Sequence, residues 1–266
     1  GNFVAKYKLK PKEKLEVNVT GDVEVFSKPF RKITQNLTED EKNIYTQPQS
    51  YWEVDNTQIR EKAQELKTPE AIYDYVAKTL KYNSERLTSG KLERKGAVAA
   101  LADPNNSLCM EFTDLFIALA RAAGIPAREL EGYAYTQNDR LRPLSLNIYE
   151  GDVLHAWPEY WDEKKGWVQI DPTWASTSGG LDYFNKLDFN HITFVQRGKS
   201  SVSPNPAGAY KSSTNSQEKT VYVQFAQNLP DTTPSSEVSI NLPKKAISAF
   251  PLKVRVTVKN TAATSI

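Results

Sequence analysis

The chain has 266 residues, of which 39% are hydrophobic and 25% are charged, a composition typical of globular proteins and not of disordered or collagen-like ones. Its 34 basic and 32 acidic residues leave a net charge of +2, which does not indicate a surface that binds nucleic acid or anionic lipid. We therefore expect no nucleic-acid partner. No apolar run reaches the roughly 18 residues that a membrane helix needs, so we expect no membrane span in this chain.

Three residues offer thiol or imidazole chemistry, namely Cys109, His155 and His191. A single thiol cannot form an internal disulfide, and these three residues cannot assemble the Cys and His set of a structural zinc site. The sequence also lacks the glycine-rich loops that bind nucleotides and the HExxH motif of zinc peptidases. We therefore expect no metal and no cofactor, and the lone thiol directs attention to cysteine chemistry.

In chain order, residues 1–55 are predicted to form a β-rich segment. Its strand candidates show partial alternation of apolar and polar side chains and cover residues 6–10, 15–19 and 23–26. Apolar residues take up helical spacing from Thr57 onward. Thr68 can cap a second helix, and Pro69 suits the first helical position because its missing N–H is not needed there.

The clearest helix is predicted over residues 108–123, where apolar side chains recur every three to four positions. Residues 105–107 supply Asn and Ser as N-cap candidates, and the sequence Gly124-Ile125-Pro126 ends the helix. Aromatic and branched residues then predict strands over residues 128–135, 153–161 and 167–170. Residues 56–200 are therefore predicted to form one α+β domain.

Residues 201–220 are rich in Ser, Pro, Asn, Gly and Lys, and we predict a linker or surface loop there. A C-terminal β-rich segment follows over residues 221–266. Its strand candidates are residues 221–225, 237–242 and 252–258. No finishing strand follows the last candidate, so this segment is expected to be incomplete.

Cys109 lies at the N-terminus of the clearest helix. The unpaired N–H groups and the helix dipole at that end favour negative charge, and they bias a thiol toward the reactive thiolate. The same N–H groups could hold an oxyanion that forms on a carbonyl under attack. Alternatively, Cys109 continues the apolar stripe that includes Phe112, as a small buried hydrophobe.

A predicted hairpin supplies partners for the thiol. The polar stretch 162–166, with Gly166 at its end, indicates a turn between the second and third strands. A hairpin centred on residue 163 places His155 opposite Asp171 and Trp157 opposite Gln169, all on one face. Opposed side chains have Cβ atoms about 5 Å apart, which allows an Asp to imidazole hydrogen bond. A Cys, His and Asp arranged in this way can activate the thiol.

Several motifs together resemble a known family. They are Leu108-Cys109, Ala120-Arg121-Ala122-Ala123-Gly124-Ile125-Pro126-Ala127-Arg128, Gly132-Tyr133, His155-Ala156-Trp157 and Gly166-Trp167-Val168-Gln169-Ile170-Asp171-Pro172-Thr173. The chain resembles the transglutaminase-like superfamily, of bacterial or archaeal type, over roughly residues 57–198. The resemblance implies a papain-like α+β core, with a nucleophile helix packed on an antiparallel sheet and β-rich segments on either side.

The resemblance also implies roles for individual residues. Cys109 would be the nucleophile, His155 the general base and acid, and Asp171 the residue that orients the imidazole. Tyr82 would be a second oxyanion donor, although it could equally end an apolar helix stripe. One departure is Ser107, at a position where many relatives have Gly.

Other aromatic and imidazole residues are weaker candidates. Trp157 and Trp174 could line a substrate cleft that excludes water, or could simply pack in the core. His191 has no acidic partner in the predicted register, so we expect it in a loop or on the surface.

The function expected from these features is cysteine-dependent acyl transfer on an amide of a protein or peptide substrate. A thioester on Cys109 would be resolved by an amine, as in a transglutaminase, or by water, as in a peptidase or amidase. The sequence leaves this choice open. The alternative is a surface or adhesion scaffold without catalysis, in which the flanking β-rich segments do the binding. Those segments suggest an extracellular or cell-envelope location.

Overall fold

The computed structural model describes Asn2, Val4 and residues 6–23, 36–88, 93–134, 154–187, 191–206, 236–241 and 255–260. The chain divides into two compact units, Gly1–Val223 and Gln224–Ile266. Strand candidate 221–225, nearly all of candidate 23–26 and the greater part of the predicted linker, residues 207–220, lie outside the described residues.

The described residues of the first unit form one long helix and six shorter ones. They are α1 (Glu39–Ile44), α2 (Thr57–Leu66), α3 (Pro69–Thr79), α4 (Glu85–Thr88), α5 (Ala97–Ala102), α6 (Cys109–Ala122) and α7 (Pro172–Thr177). The Thr68 hydroxyl caps α3 by accepting the N–H of Ala71, as its sequence predicts. Helix α6 is buried over most of its length and fills the middle of the hydrophobic core.

Four antiparallel strands form the sheet on which α6 packs. They are β1 (Ala127–Ala134), β2 (Leu154–Asp162), β3 (Gly166–Gln169) and β4 (His191–Arg197), in the spatial order β3-β2-β1-β4. Strands β1 and β2 both contact α6. The predicted α+β fold, in which the helix that begins with Cys109 packs on an antiparallel sheet, is confirmed.

The register of the β2–β3 hairpin differs from the predicted one. Asp162 pairs with Gly166, and Glu159 pairs with Gln169, so the hairpin is centred on residue 164 and Trp157 is not opposite Gln169. The cause is a three-residue loop, in which the Asp162 carboxylate accepts backbone N–H groups at 2.8 Å and Gly166 takes a positive φ of 79°. The pairing is displaced by two positions, so every side chain keeps its face of the sheet.

The N-terminal part of the chain also differs from the prediction. Residues 6–23 form no strand and are exposed, because an alternating sequence becomes a strand only where it finds a hydrogen-bonding neighbour. The core domain begins before residue 56. Trp52 is fully buried, and its indole N–H donates to the Asp114 carboxylate on α6 at 2.9 Å.

The first residues of the predicted linker pack on the domain as well. Ser201 is buried, and its carbonyl accepts a guanidinium N–H of Arg94 at 2.8 Å. The carbonyl of Pro204 accepts the Nε–H of Arg197 from β4 at 2.7 Å. The domain boundary therefore lies after residue 204 and not at residue 200.

In the second unit, β5 (Ser236–Asn241) and β6 (Arg255–Asn260) form an antiparallel pair. These strands lie close to the predicted ones at residues 237–242 and 252–258. Among the helices of the described residues, none combines the length and the hydropathy needed to cross a bilayer.

Arg121, in the last turn of α6, joins three parts of the first unit. Its buried guanidinium donates to the carbonyls of Gln47 at 2.6 Å, Ala127 at 2.8 and 3.0 Å, and Gly198 at 2.8 Å. It also lies 4.3 Å from the centre of the Trp52 ring. One side chain thus connects the segment before α2, the start of β1 and the end of β4.

We predict that Arg121→Lys lowers the free energy of unfolding by at least about 2 kcal/mol, because an ammonium cannot reproduce the planar fork and leaves buried carbonyls unpaired. Urea unfolding measures the change. Arg60→Lys is the matched control, since the Arg60 side chain is 57% exposed and its replacement should shift stability by less than about 0.5 kcal/mol. Equal effects at the two positions would contradict the prediction.

Candidate active site

Cys109 is the first residue of α6 and is half-buried. The turn before it is bonded to the chain that follows α3. The Ser107 N–H donates to the Lys81 carbonyl at 3.1 Å, and the Asn83 N–H donates to the Ser107 carbonyl at 2.8 Å. This short parallel bridge brings the backbone of Tyr82 alongside the turn that leads into Cys109.

Glu111 holds the same turn from inside the protein. Its fully buried carboxylate accepts the N–H of Leu108 at 2.7 Å, the N–H of Lys95 at 3.0 Å and a guanidinium N–H of Arg86 at 2.8 Å. The N-cap of α6 is therefore Leu108, and the predicted capping by residues 105–107 is wrong. The available signal was a Glu three residues after the cap, which commonly accepts the N-cap N–H.

His155 and Asp171 make the contact that the sequence predicts. Strand β2 presents His155 opposite Gly132 of β1, and its Nε2 lies 2.8 Å from Asp171 Oδ2. Asp171 follows β3 and caps α7, where its Oδ1 accepts the Trp174 N–H at 3.0 Å. Because an ionised carboxylate can only accept, Nε2 of His155 carries the hydrogen, and Nδ1 is left for another partner.

Cys109 is a second hydrogen-bonding partner of the His155 side chain. Burial by itself lowers the pKa of His155, but the charge of Asp171 and the Cys109 sulfur outweigh burial and raise it to about 9. His155 is therefore protonated at neutral pH. A cation beside the Cys109 sulfur stabilises a thiolate, in addition to the N–H groups of the helix end.

Asp171 keeps its charge although it is fully buried. Burial alone would raise the pKa of Asp171, but hydrogen bonds and charge from His155 and His191 hold it well below the usual range of a carboxyl group. The sequence did not anticipate His191 as a partner.

The structure places His191 inside the site, so the expectation of a loop or surface role is wrong. Its side chain is buried, and its Nε2 lies 3.0 Å from Asp171 Oδ2, the oxygen that also meets His155. His191 begins β4, which pairs with β1 and not with the hairpin that carries His155 and Asp171. A search confined to that hairpin register could not find this contact.

Trp157 and Trp174 surround the imidazoles. They are 0% and 1% exposed, and their ring centres lie 5.8 and 5.7 Å from that of His155. Their burial fits the alternative that they pack in the core, and a role in lining a substrate cleft that excludes water stays a prediction. They keep water away from the His155–Asp171 hydrogen bond, which strengthens it.

Tyr82 lies on the chain that is bonded to the turn before Cys109. Burial raises the pKa of the Tyr82 hydroxyl, and the nearby Cys109 charge raises it further. The hydroxyl therefore remains protonated and able to donate. The role of Tyr82 as an oxyanion donor is implied by the resemblance and stays a prediction.

His155, Asp171 and His191 are also close enough to surround a metal ion, with their donor atoms within 4.8 Å of one another. Coordination needs the lone pairs of the imidazole nitrogens. Here both Nε2 atoms point at a single carboxylate oxygen at hydrogen-bond distance, which needs a proton on each. We therefore interpret the three residues as a hydrogen-bonded cluster.

The shifted pKa values predict a dependence of stability on pH. His155 has a folded pKa of about 9 against about 6.5 unfolded, so its contribution is complete below pH 6.5 and is lost as the pH rises through 9. The lowered pKa of Asp171 stabilises the fold above about pH 4, and this is lost on acidification. We expect the melting temperature to fall between about pH 6.5 and 9.5. In His155→Gln the alkaline fall should be smaller, and an unchanged slope would contradict the assignment.

Comparisons with known proteins show what this chain is similar to. Residues 53–172 match the family described as the transglutaminase-like superfamily. One relative is a protein-glutamine gamma-glutamyltransferase of Pseudomonas aeruginosa, which is 38% identical over 76 residues. This match covers 28% of this chain and 11% of the relative. Another is the uncharacterized protein YebA of Bacillus subtilis, which is 29% identical over 111 residues. This match covers 41% of this chain and 15% of the relative.

Among solved structures, the periplasmic domain of TgpA from Pseudomonas aeruginosa is 21% identical, with a TM-score of 0.36, over 55% of this chain and 52% of that one. The chain thus spans a small part of the length of the curated relatives it matches. The matched residues 53–172 include Cys109, His155 and Asp171. Over residues 53–172, the chain is therefore similar to the transglutaminase-like superfamily.

Proposed function

We propose that the chain catalyses acyl transfer from an amide of a protein or peptide, with Cys109 as the nucleophile. The observation that carries the proposal is the buried His155–Asp171 hydrogen bond of 2.8 Å, whose imidazole also meets the sulfur at the start of α6. A histidine held on both sides in this way can move a proton between a thiol and a leaving nitrogen. The similarity of residues 53–172 to the transglutaminase-like superfamily supports cysteine-based chemistry of this kind.

In the first half of the reaction, the Cys109 thiolate attacks the amide carbonyl and a C–S bond forms. The negative charge on the carbonyl oxygen is stabilised by the N–H groups at the start of α6 and by the Tyr82 hydroxyl. His155 then transfers its Nδ1 proton to the leaving nitrogen, and the C–N bond breaks. Ammonia or an amine departs and a thioester remains.

In the second half, the neutral Nδ1 of His155 accepts a proton from the acceptor, which is an amine or water. The acceptor attacks the thioester, its bond to carbon forms, and the C–S bond breaks to restore the thiolate. His155 is again protonated. Throughout the cycle, Asp171 accepts Nε2–H and stabilises the imidazolium.

An amine acceptor makes the reaction transamidation, and water makes it hydrolysis. We propose a transglutaminase-like or peptidase-like activity on protein substrates. One relative is named protein-glutamine gamma-glutamyltransferase, which makes a glutamine side chain a reasonable first donor to test. A location outside the cytoplasm, in the cell envelope, is part of the proposal and can be tested by cell fractionation.

The first prediction concerns the thiol. We expect iodoacetamide to alkylate Cys109 faster at neutral pH than it alkylates a free cysteine, because the imidazolium and the helix end favour negative charge on the sulfur. The rate, followed by mass spectrometry against pH, should fall toward that of an ordinary thiol in His155→Ala. An alkylation rate that is the same in His155→Ala would rule out the proposed pairing of Cys109 with His155.

Asp171→Asn should keep the fold and lower turnover by about 10²- to 10⁴-fold, because the amide no longer stabilises the imidazolium or fixes its tautomer. Asp182→Asn is a matched control, since Asp182 is exposed and caps a turn outside the cluster. Circular dichroism verifies folding of both variants. Full activity in folded Asp171→Asn would refute the role of Asp171.

The acceptor is tested with a glutamine-containing protein and a labelled primary amine. Label that appears on the protein only with intact Cys109 supports transamidation. Release of ammonia or peptide without label supports hydrolysis. If neither occurs across several substrates, and Cys109→Ala behaves as the unchanged protein does, the scaffold function is favoured instead.

A further inference from the structure

Asp171 has one more partner than the proposed reaction uses. Its Oδ2 accepts Nε2–H of His155 at 2.8 Å and Nε2–H of His191 at 3.0 Å, while its Oδ1 accepts the Trp174 N–H at 3.0 Å. The side chains of Asp171 and His191 are both 0% exposed. His191 therefore bonds, without competition from water, to the oxygen that orients His155.

The sheet is built so that β4 reaches this position. His191 pairs with Ala134 at the end of β1, and a register shift follows between Glu131 and Gly132. A Cβ on Gly132 would lie only 2.0 Å from the carbonyl oxygen of Ile192, so the glycine permits an approach that other residues would block. Gly132 is also the residue opposite His155.

The His191 ring is held on two sides by indoles. Its centre lies 4.7 Å from that of Trp174 and 5.0 Å from that of Trp157. These are packing contacts, and they fix the ring so that Nε2 keeps facing the carboxylate. A histidine needed only for packing would not also have to donate its Nε2–H to Asp171.

We propose that His191 is a positioning residue for the thiol site, which holds the Asp171 carboxylate in place and shares its negative charge with His155. The inference rests on the proposed function and deepens it. With His191 present, Oδ2 has two donors and the carboxylate cannot turn away from His155. Without it, the whole charge of Oδ2 would act on His155 alone.

The sign of the effect follows from the charges around the cluster. Among the described residues, ionisable groups meet at the cluster from five elements: Cys109 on α6, His155 on β2, Asp171 at the start of α7, His191 on β4 and Tyr73 on α3. Removing a donor from Asp171 strengthens its attraction for the imidazolium and raises the pKa of His155 further. A less acidic imidazolium transfers its proton to the leaving nitrogen less readily.

Two substitutions test the proposal. His191→Leu keeps most of the volume and removes the donor, whereas His191→Gln keeps an N–H at a similar reach. We expect His191→Leu to lower kcat by about 10- to 100-fold with little change in KM, and to move the alkaline limb of the kcat/KM profile to higher pH. His191→Gln should restore most of kcat. A folded His191→Leu with unchanged kcat and profile, or equal losses in both variants, would overturn the proposal.

Alkylation of Cys109 gives a readout that needs no substrate. Its pH profile should shift in His191→Leu and return in His191→Gln, even if no amide substrate is turned over. If the unsubstituted protein turns over no amide substrate but His191→Leu still shifts the alkylation profile, the result counts against the proposed function and not against the role of His191. An alkylation profile unaffected by His191→Leu would count against His191.

A measurement on the unsubstituted protein covers the case in which His191→Leu does not fold. Nitrogen NMR of histidine-labelled protein should show His191 with its hydrogen on Nε2, and this signal should shift in Asp171→Asn. A hydrogen on Nδ1 alone would mean that His191 does not donate to Asp171, and the proposal would be wrong.

Discussion

The buried carboxylate of Asp171 is the group on which the geometry of the site depends. A negative charge that is buried away from water needs hydrogen-bond donors from the protein. Three donors, from β2, β4 and the first turn of α7, bind the two oxygens of Asp171. Each donor has to be delivered by a different part of the sheet or by the helix that follows it. The order of the strands and the close spacing of β1 and β4 can be understood as the means of bringing these donors together.

Cys109, the proposed nucleophile, is positioned by a second buried carboxylate. Glu111 binds two backbone N–H groups and the Arg86 guanidinium, and so fixes the turn from which α6 begins. Because α6 packs on β1 and β2 along its length, fixing its first turn also fixes the sulfur relative to the imidazole. In the proposed reaction, Asp171 and Glu111 do not contact substrate. They align His155 and Cys109, which do.

The sequence predicted what depends on local pattern and failed where distant segments meet. The extent of α6, the cap of α3 and the His155–Asp171 contact followed from periodicity, capping residues and the turn. The hairpin centre was wrong by one residue because the length of the loop depends on how Asp162 and Gly166 close it. The error was harmless because a displacement of two in pairing preserves the face of each side chain.

Other failures had no local signal. His191 reaches Asp171 through β4, at the opposite edge of the sheet from β3, and no spacing along the chain reports such a contact. The alternation in residues 6–23 predicted strands, but a strand also needs a neighbour, which lies beyond what the segment's own sequence encodes. The proposed role of Tyr82 rests on the resemblance alone, because a Tyr at the end of an apolar stripe is not itself informative.

The contacts of Arg121 show that the folding unit is larger than the stretch that identifies it. Two of its three carbonyl partners, on Gln47 and Gly198, lie outside residues 53–172. A fragment cut at those limits would keep Cys109, His155 and Asp171 but lose β4, leaving a buried guanidinium with donors that have nothing to bind. For expression or transplantation into another protein, the smallest sensible module therefore runs from before α1 to beyond residue 204.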